Sequence, residues 1–154
     1  MTSDIVLDRI EREIVIAASR HRVWELVSTP GWWINDGVVV AHRIEPRGDD
    51  AVVHDPVHGA FAVRLVEARP QEYLAFRWYS GPDAERRLQL TASTLVEFFL
   101  ADAAGGGVVL RVVESGFAAL DEPARMRRRM VDDNTEGWGV ELRAAQRHLE
   151  VSRS

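Results

Sequence analysis

The chain has 154 residues, 46% of them hydrophobic and 28% charged, with a formal charge of −5. That balance fits one soluble globular domain over 1–154 and opposes a nucleic-acid partner, because neutralising a polyanion needs a basic footprint. The lack of cysteine excludes disulfides, thiolate nucleophiles and cysteine-ligated zinc together.

At the amino terminus, "MTSDIVLDRIERE" places charges where a signal peptide needs its apolar segment. No run of eighteen or more apolar residues follows, so the expectation is a cytoplasmic protein without stable membrane insertion. "RIEREIVIA", 9–17, has the Ile and Val content of a first strand. "SRHRVWELVS", 19–28, offers Ser19 as an N-cap and sets Val23, Trp24 and Val27 at helical spacing. "TPGWWIN", 29–35, reads as a turn with a short second helical turn. Strand patterns then recur at 38–46, 50–55, 59–68, 72–80, 93–101 and 107–115, separated by the turn-forming stretches "PRGDD", "DPVHG", "ARPQE" and "AAGGG". Six consecutive strands with hairpin-length connections imply an antiparallel meander. The charged segment 81–92 reads as a long hairpin arm or a loop.

Alternation identifies the covered face. Leu74, Phe76 and Trp78 share one side of their strand, and Val96, Phe98 and Leu100 share one side of theirs. A bulky apolar sheet face needs a cover, and the carboxy-terminal segment supplies one. From Met126, the residues Met130, Asn134, Trp138, Leu142, Ala145 and Leu149 follow at steps of three and four. About 27 helical residues reach roughly 40 Å, enough to cross the sheet. Gly137 and Gly139 sit inside this helix at a cost of about 1 kcal/mol each relative to alanine. Their expected role is a close approach of the helix backbone to the sheet or the first helix, or a bend.

The succession strand, helix, short helix, six-strand meander and long terminal helix resembles the helix-grip fold of the START-like (SRPBCC) superfamily. "VWELVSTPGWWINDG", "HGAFAVRLVEARPQEYLAFRW", "TLVEFFLADAAGGGVVLRVVESGF" and "NTEGWGVELRAAQRHL" are similar to segments of one of its families, the homologues of the activator of the heat shock protein 90 ATPase. The likeness spans about 9–150 and is sharpest in the Gly-rich hairpin leading into Glu114-Ser115-Gly116-Phe117 and in Gly137-Trp138. It implies an α+β fold, a curved seven-stranded antiparallel sheet around a long C-terminal helix with two short helices after strand 1. It also implies an internal cavity suited to hydrophobic small molecules. The eukaryotic activators carry a further domain that contributes to chaperone contact, for which 154 residues leave no room.

Catalytic signals are weak. In "HDPVH", His54, Asp55 and His58 are ligand types, but Pro56 opposes a helix and an extended strand spreads them over about 13 Å, so no metal is expected. Gly105, Gly106 and Gly107 lack the lysine of a phosphate-binding loop and read as a hairpin turn. Ser115 lacks the nucleophile-elbow pattern. Asp132 and Asp133 read as a solvated helix face, as does "RMRRRM" at 125–130, which the acidic residues after it offset. His42 is read either as an acid or base inside the cavity or as a hydrogen-bonded strand histidine. Of Trp32 and Trp33, one anchors the core and the other borders a pocket mouth.

The sequence therefore leads to the expectation of a hydrophobic or aromatic ligand held without a cofactor and without catalytic residues. The expected cavity wall is Phe61, Val63, Phe76, Trp78, Val96, Phe98, Met130, Trp138 and Leu142, with Trp33 and His42 at its rim. Two other classes stay open: a cofactor-independent cyclase or dehydratase, and a co-chaperone-like interaction module with a filled interior and an exposed apolar patch.

Overall fold

The computed structural model describes residues 8–84 and 92–151. Seven strands, β1 (Arg9–Ile16), β2 (Arg43–Arg47), β3 (Asp50–Asp55), β4 (Gly59–Arg69), β5 (Tyr73–Trp78), β6 (Thr94–Asp102) and β7 (Val108–Ser115), form one antiparallel sheet in the order β1-β7-β6-β5-β4-β3-β2. Helix α1 (Arg20–Val27) lies on the connection from one sheet edge, β1, to the other, β2. Helix α2 (Ala124–Val151) closes the fold and contacts β1. This is the α+β helix-grip architecture that the element order implied.

Local chemistry explains the joints. The Ser19 side chain accepts from Arg22 N at 3.2 Å and caps α1. The second short helix expected after β1 is instead a pair of overlapping turns, Trp32 N to Thr29 O and Ile34 N to Gly31 O. Gly31 ends helical geometry there with a φ of +70°, and a Cβ on it would lie 2.8 Å from Val53 Cγ2. β2 begins at Arg43 rather than 38. Most of the segment 81–92 falls on 85–91, outside the described residues.

The expected faces match the burial. Leu74, Phe76 and Trp78 of β5 and Val96, Phe98 and Leu100 of β6 all enter the core, where Met130, Trp138, Leu142, Ala145 and Leu149 of α2 meet them. At its far end α2 is tied to β1 by Gln146 Nε2 donating to Val15 O and by Glu150 accepting from Ala17 N.

The glycine explanation requires correction. α2 runs unbroken through Gly137 and Gly139. A Cβ on Gly137 would meet nothing within 4 Å, and one on Gly139 only the Arg143 guanidinium at 3.6 Å. Neither permits a close helix approach; Gly137 instead borders open space.

Candidate functional site

That open space is a pocket of about 380 Å³ between α2 and the sheet, and it opens to solvent. Four elements build it. The turn after α1 contributes Trp33, Ile34 and Asn35; the β3–β4 hairpin contributes His58 and Phe61; the end of β5 contributes Trp78 and, just beyond, Ser80. Helix α2 supplies Asp133, Asn134, Gly137, Trp138 and Glu141, residues at steps of three and four that share one face.

Trp33 determines the depth of the pocket. Its ring centroid lies 5.4 Å from Trp78, 5.5 Å from Phe76, 5.6 Å from Phe98 and 5.8 Å from Trp138. The indole thus occupies the interior over Phe76 and Phe98. Space remains on the side of Phe61, Trp78 and Trp138. Trp32 is fully buried against Phe98, at 5.4 Å.

Of the expected wall, Trp33, Phe61, Trp78 and Trp138 line this pocket. Val63, Phe76, Val96, Phe98, Met130 and Leu142 are buried in the core rather than on the pocket lining, and Trp33 lies over Phe76 and Phe98. His42 is not on the wall. Its Nε2 is 2.8 Å from Asp55 Oδ1, with both side chains 2% exposed. The other Asp55 oxygen accepts from Val57 N and His58 N, so this pair braces the turn that carries His58. These three hydrogen bonds, opposed by burial, hold the Asp55 carboxyl below its usual range. His54 pairs with Glu45 at 3.0 Å on the exposed side.

Behind the aromatic wall lies Glu114, fully buried. Oε1 accepts from Trp138 Nε1 at 2.8 Å and Asn134 Nδ2 at 3.1 Å, while Oε2 accepts from Trp78 Nε1 at 2.9 Å and Thr94 Oγ1 at 2.6 Å. Burial pushes its carboxyl above the usual range, against the pull of the four donors. One carboxylate thereby anchors two tryptophans of the pocket lining by their indole N–H groups.

Nearer the mouth, Glu141 is 7% exposed and accepts from Asn35 Nδ2 at 3.2 Å and Gly37 N at 3.1 Å. Burial raises its pKa, the two donors oppose that, and Asp36 adds to the rise. His58 lies 3.0 Å from the Asn35 carbonyl through Nε2. A carbonyl only accepts, so Nε2 carries a proton and donates. No group of three metal-capable side chains occurs among the described residues.

Sequence reasoning named the aromatic members as wall and put Asn134 on the inward helical stripe, but it gave no site role to Glu114, Asn35, Ser80 or Glu141, and it placed His58 and Asp133 elsewhere. The signals were present. Glu114 continues the inward alternation of Val108, Leu110 and Val112, a charge on an apolar face. Asn134 and Glu141 share the helical face of Trp138.

Comparison with solved structures places this geometry in context. MLL2253 from Mesorhizobium loti superposes with a TM-score of 0.68 over 95% of this chain and 99% of its own, at 18% identity. The Aha1 dimer from Colwellia psychrerythraea gives 0.62 over 95% and 98%, at 18% identity. DynU16, a protein of the dynemicin biosynthetic locus, gives 0.65 over 93% of this chain and 47% of its own, at 19% identity. No family model and no curated protein sequence matches the chain. No helix among the described residues is long and apolar enough to cross a membrane. At these identities the likeness is one of fold: an antiparallel seven-stranded sheet covered by a long carboxy-terminal helix.

Proposed function

We propose that the protein is a cytoplasmic small-molecule binding protein that holds a hydrophobic or aromatic ligand against Trp33, Phe61, Trp78 and Trp138, without a cofactor. The observation that carries this reading is the pocket of about 380 Å³ kept open beside a sealed core. Its size falls in the range of small-molecule sites, and aromatic walls give large contact area with few polar demands. Two features support openness as a built property. Gly137 offers no side chain to the space, and Glu114 holds Trp78 and Trp138 from behind.

The test is a melting-temperature screen of lipids, flavonoids and polyketide-like aromatics. A ligand at a hundred times its dissociation constant adds about 2.7 kcal/mol of stability. A Gly137→Phe variant, which fills the space, should lose the response. If no class of compound shifts the wild type, and the chain instead captures a chaperone, the co-chaperone reading replaces this one.

A second reading has its own observation. Asn35 joins His58 and Glu141 on one pocket wall, an acid–base arrangement compatible with a cofactor-independent enzyme. Under that reading, His58→Ala abolishes turnover of a bound compound while leaving its binding intact.

A further inference from the structure

The polar groups of this pocket are unevenly divided between donors and acceptors. Each side-chain amide has both N–H groups engaged. Asn35 Nδ2 donates to Trp32 O and Glu141 Oε1, and Asn134 Nδ2 donates to Ser80 Oγ and Glu114 Oε1. The indole N–H groups of Trp78 and Trp138 go to Glu114, and His58 Nε2 goes to the Asn35 carbonyl. What remains is acceptor capacity. Each oxygen of Glu141 receives one hydrogen bond where a carboxylate oxygen can take two, and Asp133 stands at the mouth with its side chain 72% exposed, 4.0 Å from Arg129 Nε. The exceptions are the buried indole N–H of Trp33, which has no partner, and the Ser80 hydroxyl, which can turn its proton either way.

Charge points the same way. The lining residues include two carboxylates, Asp133 and Glu141, and no lysine or arginine. Trp78 and Trp138 spend their N–H groups on Glu114, so these two lining residues bring aromatic carbon and no donor to the pocket, and an aromatic ring attracts a cation over its face. An entering anion would meet these carboxylates, while Arg129, 4.0 Å from Asp133, is an exposed side chain outside the lining. An ammonium group would find acceptors and π-faces, and the open mouth would let it keep part of its hydration.

We infer that the pocket selects a flat aromatic ligand carrying a protonated amine, with the ring against Trp78 and Trp138 and the ammonium at Glu141 and Asp133. This rests on the binding reading above and narrows it to one chemical class.

The test is calorimetric titration of the full chain at one neutral pH and low salt with three compounds of one shape: naphthylmethylamine, naphthylmethanol and naphthoate. The amine should bind about tenfold more tightly than the alcohol, and naphthoate should bind most weakly. In the Asp133→Asn/Glu141→Gln double variant, the ratio of amine to alcohol affinity should fall below about threefold. The single Asp133→Asn variant changes only an exposed side chain and should show part of that loss if the double variant does not fold. If the alcohol or naphthoate binds as tightly as the amine, the charge preference is overturned and the pocket reading stands. An amine advantage that survives in both variants overturns the assignment to these carboxylates. If none of the three compounds binds, the binding reading and this inference fall together.

Discussion

Trp78 at the end of β5 and Trp138 in the middle of α2 donate their indole N–H groups to opposite oxygens of one buried carboxylate, Glu114. The sheet and the helix that covers it are thus joined by a polar bridge inside an apolar core. Such a bridge is directional where apolar packing is not.

Removing that acceptor should be costly. Glu114→Leu leaves two indole N–H groups, Asn134 and Thr94 without their acceptor, and an unsatisfied buried donor costs about 1–3 kcal/mol. Relief of the carboxylate's own burial offsets part of this. The expected net loss is about 2–4 kcal/mol by chemical denaturation, with Glu114→Gln losing less because one acceptor oxygen remains. Unchanged stability in both variants would mean that the bridge contributes nothing.

Glycine 137 should respond in the direction opposite to a packing glycine. Since a Cβ there meets nothing within 4 Å, Gly137→Ala should raise stability by about 0.5–1 kcal/mol through helix propensity alone. A destabilised Gly137→Ala protein would restore the close-packing explanation that the structure removes.

Phe98 and His42 separate core from pocket. Phe98 is fully buried beneath Trp33 and Trp138, so Phe98→Ala should cost about 3–5 kcal/mol and shift ligand preference toward bulkier compounds as Trp33 loses its support. His42→Ala strands the buried Asp55 carboxylate and should cost about 1–3 kcal/mol. Binding of neutral aromatic compounds should persist, because the His42 ring is off the wall. Loss of that binding in His42→Ala would show that the turn carrying His58 needs this pair to hold its shape.

The pH dependence of stability follows from Glu141. Burial raises its folded pKa above the ordinary carboxyl value of 4.5. The folded state therefore binds the proton more tightly than the unfolded chain does. Its stabilising contribution is complete below about pH 4.5 and disappears as pH rises through the raised folded value. Relative to Glu141→Gln, the wild type should lose stability as pH rises from about 4.5 through that raised folded value. Denaturation curves of the two proteins that diverge in the other direction across that range would contradict the burial argument.

The sheet was legible because its strands carried alternating or β-branched runs bounded by turn residues, and α2 because Met130, Trp138, Leu142 and Leu149 kept helical spacing. The six deep wall residues were assigned to a cavity because alternation says which side chains point inward and nothing about what already fills the interior. Trp33 lies over Phe76 and Phe98 there, and its position depends on a turn set by Gly31 against Val53, a contact between segments distant in sequence. Glu114 was legible as a misplaced charge in "VVLRVVESGF", but its four donors come from three separate elements, and no local pattern links them.

The most direct test of the central claim is the response of the indole N–H resonances of the five tryptophans to titration with naphthylmethanol in nitrogen-15-labelled protein. Trp33, Trp78 and Trp138 line the pocket, whereas Trp32 is buried in the core and Trp24 sits on α1. Binding in the pocket gives saturable shifts at the first three and little movement at Trp24 and Trp32. A saturable interaction that moves Trp24 while leaving Trp78 and Trp138 unperturbed would contradict it.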